Sequence, residues 1–114
     1  MEVNPQTLFE MTGIFDQDRA MQRFNKAAAM FLMALKDLGG QVEEGPGLGI
    51  AWAGALKLPP RGFGLLLTVM RKLEWLDRAM LADRTFCLLL TPKGHLKAEH
   101  YRDAFKAAAA EDDD

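Results

Sequence analysis

From Lys57 to Trp75 the chain reads Lys57-Leu58-Pro59-Pro60-Arg61-Gly62-Phe63-Gly64-Leu65-Leu66-Leu67-Thr68-Val69-Met70-Arg71-Lys72-Leu73-Glu74-Trp75, and this stretch decides the fold. Lys57-Leu58-Pro59 turns the chain. Pro60 can then open a helix, because the N–H it lacks is one the first helical turn does not use. The spacing predicts a helix over 61–75 that buries Phe63, Leu66, Leu67, Met70 and Leu73. Its other face presents Arg61, Leu65, Thr68, Arg71 and Lys72. After Trp75 the period changes. Leu76–Met80 and Thr85–Leu90 are strand-length runs joined by Leu81-Ala82-Asp83-Arg84, which predicts a hairpin. Thr91-Pro92 then caps and starts a last helix running to about Ala110.

Upstream, Ile50–Leu56 reads as a short helix with Ile50, Ala53 and Leu56 on one side. Gln41–Gly49 reads as a loop, with two acids followed by Gly45-Pro46-Gly47 and Gly49. Its glycines make no phosphate cradle, since neither nucleotide-binding fingerprint is met. The strongest helix opens at Asp16 or Asp18 and runs to Leu38, where Gly39-Gly40 stops it. Met21, Phe24, Ala28, Phe31, Leu35 and Leu38 step along it by three and four, and Met30, Leu32 and Met33 widen the apolar surface. A helix so apolar needs cover on more than one side: it is the central core helix, or part of it faces a second subunit. Before it, Asn4 and Pro5 cap and open a short first helix.

The 114 residues fit one domain, expected over 1–110, with 111–114 an acidic disordered tail. Net charge is −2, yet residues 57–84 carry a local excess of three positive charges and the remainder sums to −5. A basic centre in an acidic chain suits nucleic-acid binding through one face. The single cysteine, Cys87, excludes an internal disulfide and reads as a small buried hydrophobe. The first residues lack a basic region followed by an apolar run, and Ala27–Leu35 is too short to span a bilayer. A cytoplasmic protein without membrane contact is expected.

Catalytic chemistry is not legible. His95 and His100 are five residues apart, where a helical metal pair needs three or four. No nucleophile–base set has a recognisable spacing, so we expect no enzyme, no metal and no cofactor. Trp52 and Trp75 flank the central segment and read as packing aromatics.

Helix, turn, helix, hairpin and helix in this order predict a mainly α (α+β) fold, a winged helix-turn-helix with a two-stranded wing and flanking terminal helices. Ile50–Pro60 resembles the first helix and turn of the reading head in MarR-like winged-helix regulators. Glu74-Trp75-Leu76 is similar to that family's passage from recognition helix to wing, and Leu90-Thr91-Pro92-Lys93-Gly94 to its Leu-Thr-x-x-Gly entry into the next helix. The resemblance covers roughly residues 20–110 in element order and spacing. It implies a homodimeric transcriptional regulator with helix 61–75 in the major groove of double-stranded DNA and wing 76–90 over the minor groove. Carried over by position, Arg61, Thr68, Arg71, Lys72 and Arg84 would face DNA. Phe31, Met33, Leu35, Tyr101 and Phe105 would meet the second subunit. The resemblance also allows a small-molecule effector of unnamed chemistry.

A second reading uses the same fold. Gly62–Leu67 holds no Ser, Thr, Asn or Gln to present to bases, and an exposed Leu65 would suit contact with another protein. The alternative is thus a winged-helix protein–protein interaction module without sequence-specific DNA binding.

Overall fold

The computed structural model describes residues 3–44 and 48–112; Gly45-Pro46-Gly47, within the stretch expected as a loop, lies outside the described residues. The elements are α1 (Pro5–Thr12), α2 (Gln17–Asp37), β1 (Gln41–Glu43), α3 (Leu48–Ala55), α4 (Gly62–Lys72), β2 (Leu76–Met80), β3 (Phe86–Leu90) and α5 (Pro92–Asp112).

Local chemistry sets most of these boundaries. The Asn4 side chain accepts the Gln6 N–H at 2.8 Å, and Gly13, with φ +70°, closes α1 in the left-handed conformation. Asp16 accepts the Arg19 N–H at 3.1 Å and so starts α2. Gly39 and Gly40, with φ of +93° and +88°, end it. The Gly40 carbonyl then accepts the Leu90 N–H at 2.8 Å, which ties the end of α2 to the end of β3.

α2 is the core helix. Ala20, Phe24, Ala27, Ala28, Ala29, Phe31, Leu32 and Leu35 are all buried along it, and it packs against α1, α4, α5, β1 and β3. Phe31 meets Trp52 edge-on at 4.9 Å between ring centroids and Phe63 at 5.4 Å, while Trp52 and Phe63 stack at 6.3 Å. This cluster locks α3 and α4 onto α2 and is worth about 0.5–1.5 kcal/mol per aromatic pair beyond simple area burial. Phe31 and Leu35 are only 0% and 1% exposed, so they belong to the chain's own core and not to a subunit surface. That corrects the expected dimer assignment of these two residues. Ile50 moves the other way: it is 77% exposed, and Ala53 and Leu56 anchor α3 without it.

The sheet is three-stranded and antiparallel, in the order β1-β3-β2. Gln41–Glu43, read from sequence as loop, forms the extra strand by pairing Val42 with Leu88. Three residues carry no period of their own, and tertiary pairing alone makes them a strand. Arg78 pins this sheet: its guanidinium lies 3.7 Å above the Phe86 ring while its Nε donates to Glu44 Oε2 at 2.6 Å.

The passage from β3 into α5 is a small knot. Thr91 Oγ1 donates to the Glu74 carbonyl and accepts the Gly94 N–H at 2.9 Å. A Cβ on Gly94 would collide with the Trp75 carbonyl oxygen, so only glycine lets α5 begin here. Trp75 is buried below, between Phe24 and Tyr101.

Candidate nucleic-acid interface

α3, the turn after it and α4 place the expected side chains. The end of α3 is closed by the Leu58 N–H on the Ala53 carbonyl at 2.9 Å and the Lys57 N–H on the Gly54 carbonyl at 3.2 Å. That closure needs a left-handed residue, and here it is Lys57 with φ +56°. Glycine would adopt the conformation without the roughly 1–2 kcal/mol cost that a side chain brings. An exposed lysine is held there instead. Sequence reasoning treated Lys57 as a turn residue only; the signal it carries is a lone cation between two apolar helices.

Arg61 takes the N-cap position of α4, where a guanidinium has no acceptor to offer the helix N–H groups, and its side chain is exposed. It lines an open depression of about 660 Å³ with Glu10, Gly64, Leu65 and Thr68. Thr68 donates its hydroxyl to the Gly64 carbonyl at 3.0 Å. Its lone pairs stay open to accept a further hydrogen bond. Arg71 and Lys72 are exposed in the last turn of α4, where the helix dipole favours cations. Gly62 does not merely weaken the helix, as its type suggests. A Cβ there would strike the Met11 carbonyl, so glycine is what allows α1 to pack across the start of α4. Leu65 is half-buried by the same packing, which takes away most of the apolar contact surface expected of it.

Arg84 stands at the hairpin turn with φ +66°. The turn is built by Asp83, whose carboxylate accepts the Thr85 hydroxyl at 2.6 Å and the Thr85 N–H at 3.1 Å. Those bonds hold the Asp83 carboxyl below its ordinary 3.8. Arg78, the other wing cation, is taken up by Glu44 and Phe86.

The structure thus puts Arg61, Thr68, Arg71 and Lys72 along one exposed helix and Arg84 at the tip of the adjoining hairpin. Among the described residues, none of these four cations has a carboxylate within 4.0 Å. Of the remaining dimer candidates, Met33 is half-buried and Phe105 is 42% exposed. Tyr101 is buried, its hydroxyl 3.4 Å from Asn25 Oδ1, and burial raises its pKa above the ordinary 10.0.

This arrangement is a winged helix-turn-helix fold. The chain is similar to the structure of Lactococcus lactis ZitR, a variant in its apo form, with a TM-score of 0.58 and 15% identity over 82% of this chain and 67% of that one. It is also similar to MepR, a transcription regulator of the Staphylococcus aureus multidrug efflux pump MepA, with a TM-score of 0.56 and 18% identity over 77% of this chain and 60% of that one. The sequence matches no protein-family model and no curated relative. At these identities the likeness establishes the fold, and it is the fold the sequence predicted.

Proposed function

We propose that the protein is a DNA-binding transcriptional regulator that reads the major groove with α4 and reaches the flanking minor groove with the β2–β3 wing. The carrying observation is the row of exposed, unpaired cations on the helix that follows the turn, continued by Arg84 at the wing tip. Arginine reads guanine bidentately and suits a narrow minor groove, while lysine holds phosphate. That MepR, a neighbour in fold, is a transcription regulator supports the same reading. Two copies acting together would use Phe105 and Met33, because the 103–107 stretch of α5 is exposed to solvent. The protein-contact alternative loses its main support with Leu65 half-buried.

Titration of labelled duplexes by fluorescence anisotropy at several salt concentrations tests this. Arg61→Ala is expected to relax sequence preference and cost about 1–3 kcal/mol on the preferred duplex. Lys72→Ala is expected to weaken all duplexes alike and make the salt slope shallower by about one unit. Unchanged affinity in both variants would refute the groove assignment.

Glu10 gives a check of opposite sign. Its carboxylate shares the depression with Arg61 and lies beside the surface that would face phosphates. Glu10→Gln removes that repulsion and is expected to tighten DNA binding severalfold at low salt, fading as screening grows. Weaker binding in this variant would place the DNA elsewhere.

A further inference from the structure

From Arg19 to Lys36 the chain carries four cations, Arg19, Arg23, Lys26 and Lys36, and no carboxylate. Lys36 is paired with Glu99 at 2.7 Å. The other three are not: among the described residues no carboxylate lies within 4.0 Å of Arg19, Arg23 or Lys26. They recur at three- and four-residue spacing on the solvent side of α2, and with Gln22 and Ile14 they line an open depression of about 300 Å³. Like charges at this spacing repel, and Arg19 sits in the first turn, where the helix dipole disfavours a cation. Four other cations on this surface, Lys36, Arg78, Lys93 and Arg102, each stand beside an acid. Like the cations of α4 and the wing tip, the stripe on α2 is left unpaired, in a chain whose net charge is −2.

Its position joins it to the reading head. The Gly13–Asp16 loop that leads into the stripe lies against the turn before α4: a Cβ on Gly13 would sit 3.2 Å from Pro59 Cγ. Phe15 of that loop is 83% exposed. The stripe therefore begins beside the segment that carries Lys57 and Arg61. From Arg19 to Lys26 the helix rises about 10 Å, comparable to the axial rise of three base-pair steps at ~3.4 Å each.

We propose that Arg19, Arg23 and Lys26 form a second phosphate-binding site that holds one strand of double-stranded DNA beyond the segment under α4. This rests on the DNA-binding reading and extends its footprint. The site adds affinity without sequence preference, because phosphates are the same at every base pair.

The test is the triple variant Arg19→Gln/Arg23→Gln/Lys26→Gln in the full chain. Its salt-dependent binding is compared with wild type and with Arg71→Ala/Lys72→Ala, on a long duplex and on one trimmed to the span of α4 and the wing. On the long duplex the triple variant should show a salt slope shallower by about 2.7, from three lost phosphate contacts at ~0.9 each. Sequence preference and binding to the trimmed duplex should stay as in wild type. Its melting temperature without DNA should equal or exceed the wild-type value, since like charges have been removed. An unchanged slope on the long duplex, with the α4 variant still impaired, overturns the second site alone. A slope lost in the triple variant but intact in the α4 variant supports the stripe and overturns the groove assignment. A wild-type chain that binds neither duplex at low salt overturns both.

Discussion

Phe31→Asp is expected to leave no folded protein at ordinary temperature. Phe31 is 0% exposed and lies edge-on to both Trp52 and Phe63. Truncating such a ring costs about 3–5 kcal/mol, and a carboxylate with no partner in that space adds several more. The sum reaches the whole stability of a small domain, about 5–15 kcal/mol. Circular dichroism should show no cooperative melt, and a near-wild-type transition would defeat the assignment of Phe31 to the core. Phe105→Asp is the informative contrast. Phe105 is 42% exposed on α5, so the variant should fold normally. On the proposed pairing, sedimentation equilibrium should show a dimer for wild type and a monomer for this variant; a monomeric wild type refutes the pairing.

Gly94→Ala should be the most damaging single-methyl change in the chain outside the α1–α4 contact at Gly62. The new Cβ would meet a backbone oxygen, that of Trp75, together with Leu90 Cδ2 at 3.1 Å. Backbone cannot swing aside as a side chain can. The Trp75 carbonyl is itself held in place, accepting the Thr91 N–H at 3.2 Å. We expect a loss of about 3–4 kcal/mol, at or beyond the upper end of ordinary overpacking, and a melting temperature lower by roughly 12–25 °C. Gly64→Ala is the control. Nothing lies within 4 Å of its Cβ direction, and alanine in a helix interior should raise stability by about 0.5–1 kcal/mol. Equal melting temperatures for the two variants would contradict the close approach at Gly94.

Local signals were legible wherever one residue type had one use. Asn4, Asp16 and the Gly39-Gly40 pair fix helix ends by bonds within their own turns, and the sequence shows them directly. The exposed cations of α4 were legible because charge on a helix opposite an apolar face has nowhere to go but water. What failed needed knowledge of the neighbours. An α2 apolar nearly all round cannot say which side meets α1, α3 and α5, so its pattern alone does not separate a core role for Phe31 and Leu35 from a place facing a partner. Gly62 and Gly94 are alike on paper to Gly64, and only the packed backbone beside them separates close approach from plain flexibility. In sequence the Arg19–Lys26 stripe is masked by Asp16 and Asp18 just before it, which offset two of its three charges. Its meaning lies in which cations end up without an acid beside them.

The strand missed from sequence has a further effect on the wing. Phe86-Cys87-Leu88-Leu89-Leu90 is an uncharged run of high strand propensity, the kind of segment that templates self-association when its backbone is left open. In the order β1-β3-β2 it is the central strand, with Gln41–Glu43 on one side and Leu76–Met80 on the other. The outward edges are thus left to strands bearing Glu43, Asp77 and Arg78, charges that discourage another chain from adding on. Three residues of β1, too short to announce themselves, convert an aggregation hazard into a protected interior strand.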